Sequence, residues 1–249
     1  MLGFRCWVLG KKLTPNTQYL IPNGVNSCSL VAKKIRAMSK RITEESSSKE
    51  IHKQTIEHIE KEKIILLFTG NSLASVTEAS KYAKENGFNL IAIDFQISGV
   101  KDLLKSLKRN GQRNLGVFSI STKKEARIAI NAGAVFVFST HVDKGVIRRC
   151  KKEKVFLAVG SVTPTEVFNA HDLGADSASL FPCGQMGGLA WFVFMTGIFP
   201  MIKLIPTDIM SPFEAAQYLK AGAYAVAPII DLEKVKEPYN LIREFIISD

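Results

Sequence analysis

Thr163-Pro164-Thr165-Glu166-Val167-Phe168-Asn169-Ala170-His171-Asp172-Leu173-Gly174-Ala175-Asp176-Ser177-Ala178-Ser179-Leu180 is the stretch on which the fold turns. Thr163 and Glu166 are spaced as a capping box: the hydroxyl accepts from a free amide of the first helical turn, and the carboxylate reaches back to the cap residue's own amide. Pro164 stands at the first helical position, where a missing N–H costs nothing. Eight residues after the glutamate comes Gly174, suited to the left-handed conformation that ends helices. The chain then passes through Ala175 into Asp176–Leu180, a short strand that stops at Pro182 and hands over to the Gly-rich turn Cys183-Gly184-Gln185-Met186-Gly187-Gly188.

The same unit is used again. Thr122-x-x-Glu125 leads to Gly133-Ala134, and Ser211-x-x-Glu214, with Pro212, leads to Gly222-Ala223. Ser75-x-x-Glu78 supplies a fourth expected capping box. Lys63–Phe68 is a continuous apolar run after its lysine, the mark of a strand buried on both faces. Strands are expected at 64–69, 89–95, 114–119, 134–138, 155–159, 176–180, 201–205 and 223–228, with helices between them and a last helix at 232–247. Before them, Ser46-Ser47-Ser48 reads as a linker or cap, and Lys49–Glu62, with Ile51, Ile56 and Ile59, as a short amphipathic helix. Eight strands alternating with eight helices in about 190 residues predict an α/β fold, a (β/α)8 barrel. A doubly wound open sheet is the alternative, because alternation alone does not show closure.

Composition bounds the rest. The 249 residues are 46% hydrophobic and 22% charged, enough apolar side chain for a sizeable core. Cys6, Cys28, Cys150 and Cys183 lie far apart without metal-type spacing, which argues against a disulfide framework or a zinc site. The net charge of +10 is concentrated at one end: residues 1–43 hold eight Lys or Arg and no acid, leaving 25 basic and 23 acidic residues for the remainder. Residues 1–45 are therefore expected to be a disordered basic leader, an organelle transit peptide, for a plastid rather than a mitochondrion, with residues 46–249 as the barrel. A plain extension, or a start at Met38 with a cytoplasmic protein, is the alternative. The body has no basic stripe for nucleic acid. The longest apolar run, Leu189–Ile202, is interrupted by Thr196, Gly197 and Pro200 and falls short of the roughly 20 residues of a membrane span.

With these elements in place, the chain from about Lys49 onward resembles the 2-keto-3-deoxy-6-phosphogluconate / 4-hydroxy-2-oxoglutarate (KDPG/KHG) aldolases. The resemblance rests on Leu115-Gly116-Val117, on Ala132-Gly133-Ala134-x-Phe136 leading to Ser139, and on Gly160-x-x-Thr163-Pro164-Thr165-Glu166. It continues through Leu180-Phe181-Pro182 with Gly187-Gly188, and Pro206-Thr207 followed by Ser211-Pro212. It implies a class I aldolase-like TIM barrel, usually a trimer, acting on a keto acid with no cofactor.

Four positions depart from what the resemblance implies. The Schiff-base lysine before the Leu-Phe-Pro element is Ser179, and a hydroxyl cannot form the iminium electron sink that a primary amine forms. The acid/base glutamate of the second strand is Ala92; the carboxylate-holding arginine of the first is Thr69. The Gly-Gly whose amides would take phosphate is Asp208-Ile209. No catalytic residue is expected at these positions. The pocket candidates are Thr69, Asp94, Ser119, His141, Ser179, Thr207 and Asp208. Asp94, His141 and Asp208, with Cys183 nearby, are also the candidates for a rebuilt acid/base or metal site; the plainer alternative is ordinary strand-end polar residues, and no metal or cofactor is expected. Lys203 begins its strand and so belongs to the stability face. The expectation is a catalytically degenerate binding or scaffolding protein; the alternative is a carbon–carbon lyase acting on a 2-keto acid through a remodelled site. Leu189–Met195 has no polar face, so Trp191, Phe192 and Phe194 are expected to meet a second copy or another subunit.

Overall fold

The computed structural model describes the backbone of residues 7–8, 11–12 and 27–247, with side chains from 45 to 245 and at 37 and 43. The chain divides into two units, Met1–Ser46 and Ser47–Asp249. In the first, Trp7–Val8 pairs antiparallel with Lys11–Lys12. A helix occupies Ser27–Glu62. Residues 27–45 of the leader, expected to be disordered, are therefore helical, and the linker expected at Ser46–Ser48 is helix too. No Gly or Pro lies between Ser27 and Glu62 to interrupt it, and serine is only mildly unfavourable inside a helix. The rest of the leader lies outside the described residues.

The second unit is the barrel. Its strands are β1 (Leu66–Thr69), β2 (Ile91–Asp94), β3 (Leu115–Ile120), β4 (Phe136–Ser139), β5 (Phe156–Ser161), β6 (Ser177–Leu180), β7 (Leu204–Asp208) and β8 (Ala227–Asp231). The helices are α1 (Leu73–Glu85), α2 (Val100–Arg109), α3 (Lys123–Ala132), α4 (Lys144–Glu153), α5 (Pro164–Asp172), α6 (Gly188–Ile198), α7 (Pro212–Lys220) and α8 (Pro238–Ile247). All neighbouring strands are parallel, and β8 pairs with β1 (Ile229 beside Leu67) as well as with β7, so the sheet closes. The open-sheet alternative is thereby removed.

Three capping boxes form as expected, at Thr122, Thr163 and Ser211. Gly133, Gly174 and Gly222 have φ of 110°, 89° and 94°. The fourth does not form. Ser72, one turn earlier, caps α1 and accepts from Ser75 N, so Ser75 lies inside the helix. Strands β7 and β8 begin and end later than expected, because each runs through a proline, Pro206 or Pro228, that reads as a stop. Proline removes one donor but keeps φ compatible with an extended chain; Pro206 still lies in register with Leu180.

Side chains alternate across each strand. Leu67, Ala92, Phe136, Phe156 and Ile205 fill the interior, where Ile59 of the N-terminal helix joins them fully buried. Gly116 makes room for this: a Cβ there would sit 2.1 Å from the Phe136 ring. Around Tyr224, at the N-terminal end of the barrel, Lys203 Nζ donates to Glu60 Oε1 at 3.1 Å and lies 4.3 Å above the Tyr224 ring, while Tyr224 Oη donates to the same Glu60 oxygen. Lys203 is thus on the stability face, as expected. Among the described residues no helix is long and apolar enough to cross a membrane.

Candidate functional site at the barrel mouth

The alternation that buries Leu67, Ala92 and Ile205 brings Thr69, Asp94 and Thr207 to the inner face two residues further along, at the carboxyl ends of their strands. Ser179, between outward Ala178 and Leu180, shares that face. These ends are where barrel chemistry sits.

The structure sorts the expected residues into separate pairs. Thr69 Oγ1 donates to Asp94 Oδ2 at 2.8 Å, and the other Asp94 oxygen accepts from Gln96 N at 3.0 Å. Ser179 and Thr207, both buried, are 2.7 Å apart, oxygen to oxygen. Thr207 Oγ1 also donates to Ile205 O at 3.2 Å, which uses its only proton, so Ser179 is the donor to Thr207. Asp208 accepts from Gly184 N at 2.7 Å and from Ile209 N at 2.8 Å. His141 Nδ1 lies 2.9 Å from Thr140 Oγ1, which in turn is 3.0 Å from Ser121 Oγ. Asp94, His141 and Asp208 do not converge: among the described residues no three His, Cys, Asp or Glu side chains are placed to hold a metal ion.

Ser119 stands apart from these pairs. It has φ of 62°, beside the register shift between Val117 and Ile120 in β3, and its carbonyl accepts from Gln96 Nε2 at 3.2 Å. A serine held in the left-handed region costs about 1–2 kcal/mol, and bulges beside barrel mouths re-aim side chains.

Directly beneath these polar ends the interior is full. Phe118, Phe138 and Ala158 are buried in the cluster that contains Ala92. Cys183 is buried as well; desolvation pushes its thiol up to about 11, against a smaller opposing effect of the Tyr218 hydrogen bond. It is a packed thiol, not a nucleophile. Two surface depressions, of about 310 and 280 Å3, lie away from the mouth. One is lined by Lys81, Lys84, Leu107 and Gln112, the other by His58, Asn89, Arg113 and Asn114.

Sequence reasoning found the strand-end side chains but missed Thr140, Ser121 and the Gly184 amide. The backbone donor has no side-chain signature; the glycine itself was the available signal, since a Cβ there would sit 3.1 Å from Asp208 Oδ2. On α6, Phe192 is wholly buried, edge-on to Tyr218 at 5.4 Å, so it is not available to a partner as expected, and Trp191 is half-buried. Phe194 is exposed, together with Val193, Ile198 and Met201.

A closed parallel (β/α)8 barrel with its polar residues gathered at the strand ends defines an aldolase-like class of protein. The chain belongs to the KDPG and KHG aldolase family, whose model matches residues 55–235. A 2-dehydro-3-deoxy-phosphogluconate aldolase of Zymomonas mobilis is 24% identical over 134 residues, 54% of this chain; the match spans 64% of that relative, just under two thirds of its length. Among solved structures, the 4-hydroxy-2-oxoglutarate/2-dehydro-3-deoxyphosphogluconate aldolase from TTHB1 has a TM-score of 0.67 at 22% identity, covering 78% of this chain and 98% of that one. A KDPG aldolase from Legionella pneumophila, with pyruvate captured as a covalent carbinolamine, has a TM-score of 0.60 at 16% identity, covering 74% and 89%. At these identities the structural likenesses show the fold.

Proposed function

We propose that this chain is an aldolase-family barrel without Schiff-base chemistry, acting as a binding or scaffolding protein. The observation that carries this reading is Ser179. It stands on the inner face of β6, buried, with its hydroxyl spent on Thr207, where an amine would be needed to attack a keto acid. The absence of Lys, Arg and His from all eight strands supports it, since no other strand offers a primary amine to the interior. Borohydride reduction in the presence of pyruvate, read by intact mass, tests it. No adduct is expected; a stable pyruvyl adduct on the native protein would overturn it.

A second reading has one observation in its favour. Thr69 and Asp94 form a hydroxyl–carboxylate pair at the mouth, a candidate acid/base for carbon–carbon cleavage of a 2-keto acid without a covalent intermediate. Turnover of a keto acid without trapping, lost in Asp94→Asn, would establish it.

We infer that the chain associates with copies of itself through the apolar side of α6. From Ser177 to Ile202 there is no charged residue, and Phe194 and Met201 are 61% and 89% exposed, a surface that a monomer rarely leaves bare. The acid-free basic stretch before Glu44 supports delivery to a plastid. Fluorescence of residues 1–45 fused to a reporter, scored for plastid, mitochondrion or cytosol, tests that location.

A further inference from the structure

Asp208 closes β7 with both carboxylate oxygens engaged by backbone. Oδ2 takes the N–H of Gly184 at 2.7 Å, and Oδ1 takes the N–H of Ile209 at 2.8 Å. The two amides come from different loops, β6α6 and β7α7, and point at one small volume. Convergent backbone N–H groups of this kind bind anions, because their dipoles are fixed in advance and need no side-chain ordering. Glycine at 184 is part of the arrangement, since a Cβ would stand only 3.1 Å from Asp208 Oδ2.

The charge balance around them is one-sided. Three acids lie on the eight strands, Asp94, Asp208 and Asp231, each the last residue of its strand, and no strand carries a base. Asp231 has Lys234 at 2.9 Å. For Asp208, no ion pair is found among the described residues, and its carboxylate is held by amides.

We propose that the Gly184 and Ile209 amides form an anion-binding pair that this chain fills with its own Asp208. The side chain acts as a specificity-determining residue: the mouth refuses a ligand that ends in phosphate or a second carboxylate and takes one whose distal end is neutral. An incoming anion finds both donors taken and a like charge in place. This holds whether or not the barrel retains catalysis.

Inorganic phosphate is the probe, titrated at constant ionic strength into the native protein, Asp208→Gly and Asp208→Asn, with the amide resonances of residues 184 and 209 followed by NMR and the thermal midpoint compared with chloride. In the native protein the two amides stay still. In Asp208→Gly both move and phosphate binds at least about tenfold more tightly; in Asp208→Asn, which frees one donor and removes the charge, the response is intermediate. Phosphate binding to the native protein as tight as to the variants overturns the proposal. So does a folded Asp208→Gly whose two amides ignore phosphate. Should Asp208→Gly not fold, a folded Asp208→Asn without a response overturns it equally.

Discussion

The Ser179 hydroxyl donates across 2.7 Å to the Thr207 hydroxyl, joining the inner faces of β6 and β7 beneath the barrel mouth. Thr207 passes its own proton to Ile205 O at 3.2 Å. The pair is closed on itself: each polar atom has its partner from the chain.

That closure predicts an asymmetric mutational response. Ser179→Ala leaves Thr207 one acceptor short and costs about 1 kcal/mol; Thr207→Val strands the buried Ser179 donor and costs about 1–3 kcal/mol. The double variant is less destabilised than the sum. Urea unfolding of the four proteins gives the coupling directly, and strictly additive effects would show that the two hydroxyls do not interact.

Ser179→Lys restores a primary amine to the inner face. Burial there lowers the amine's pKa and so favours the nucleophilic form. Overpacking costs about 1–3 kcal/mol of stability. Borohydride with pyruvate should label this variant and not the native protein. Aldol turnover should stay absent, since Ala92 supplies no acid/base and Asp208 no phosphate site. An unlabelled but folded variant would mean that a keto acid does not reach residue 179.

Glu60 gives a pH prediction. Its carboxyl is held below the ordinary Glu value, first by the Lys203 hydrogen bond and then by the Tyr224 hydroxyl, with burial opposing. A depressed folded value means stability that is present above the unfolded pKa, about 4.3, and is lost as pH falls through the folded one. The group is nearly half exposed, so the contribution is under about 1 kcal/mol. The gap in thermal midpoint between native protein and Glu60→Gln should be constant from neutral pH down to about pH 5 and close below about 4.3. A gap that persists in stronger acid would assign the loss to packing.

Phe194→Glu should leave the fold intact, because that side chain is 61% exposed. Sedimentation velocity should show the native chain as an assembly and the variant as a single chain. A native monomer would remove the α6 face from consideration as a contact between copies.

The architecture was readable where local chemistry repeats. Thr122, Thr163 and Ser211, each with its glutamate and downstream glycine, located helices and the strands after them without reference to anything distant. Pro206 and Pro228 misplaced the ends of β7 and β8, because a barrel tolerates one missing donor when its neighbours hold the register. Ser72 was overlooked in favour of Ser75, since both precede an apolar helix and only the backbone decides which is the cap. At the mouth, alternation placed Thr69, Asp94, Ser179 and Thr207 on one face. Their partners could not be read: which hydroxyl meets which carboxylate depends on strand stagger. The amide of Gly184 is invisible to any pattern of side chains.

Ile59 sits in the barrel interior with no exposed surface, and Glu60 two residues before Glu62 is tied to Lys203 and Tyr224. His52, earlier on the same helix, meets Asp176 at 3.1 Å. The helix is thus a stopper for the open end of the barrel, and it sets a limit on maturation. A protease that trims the basic segment has to cut before His52; a cut beyond Ile59 would uncork the interior and expose Leu67 and Phe136 to water.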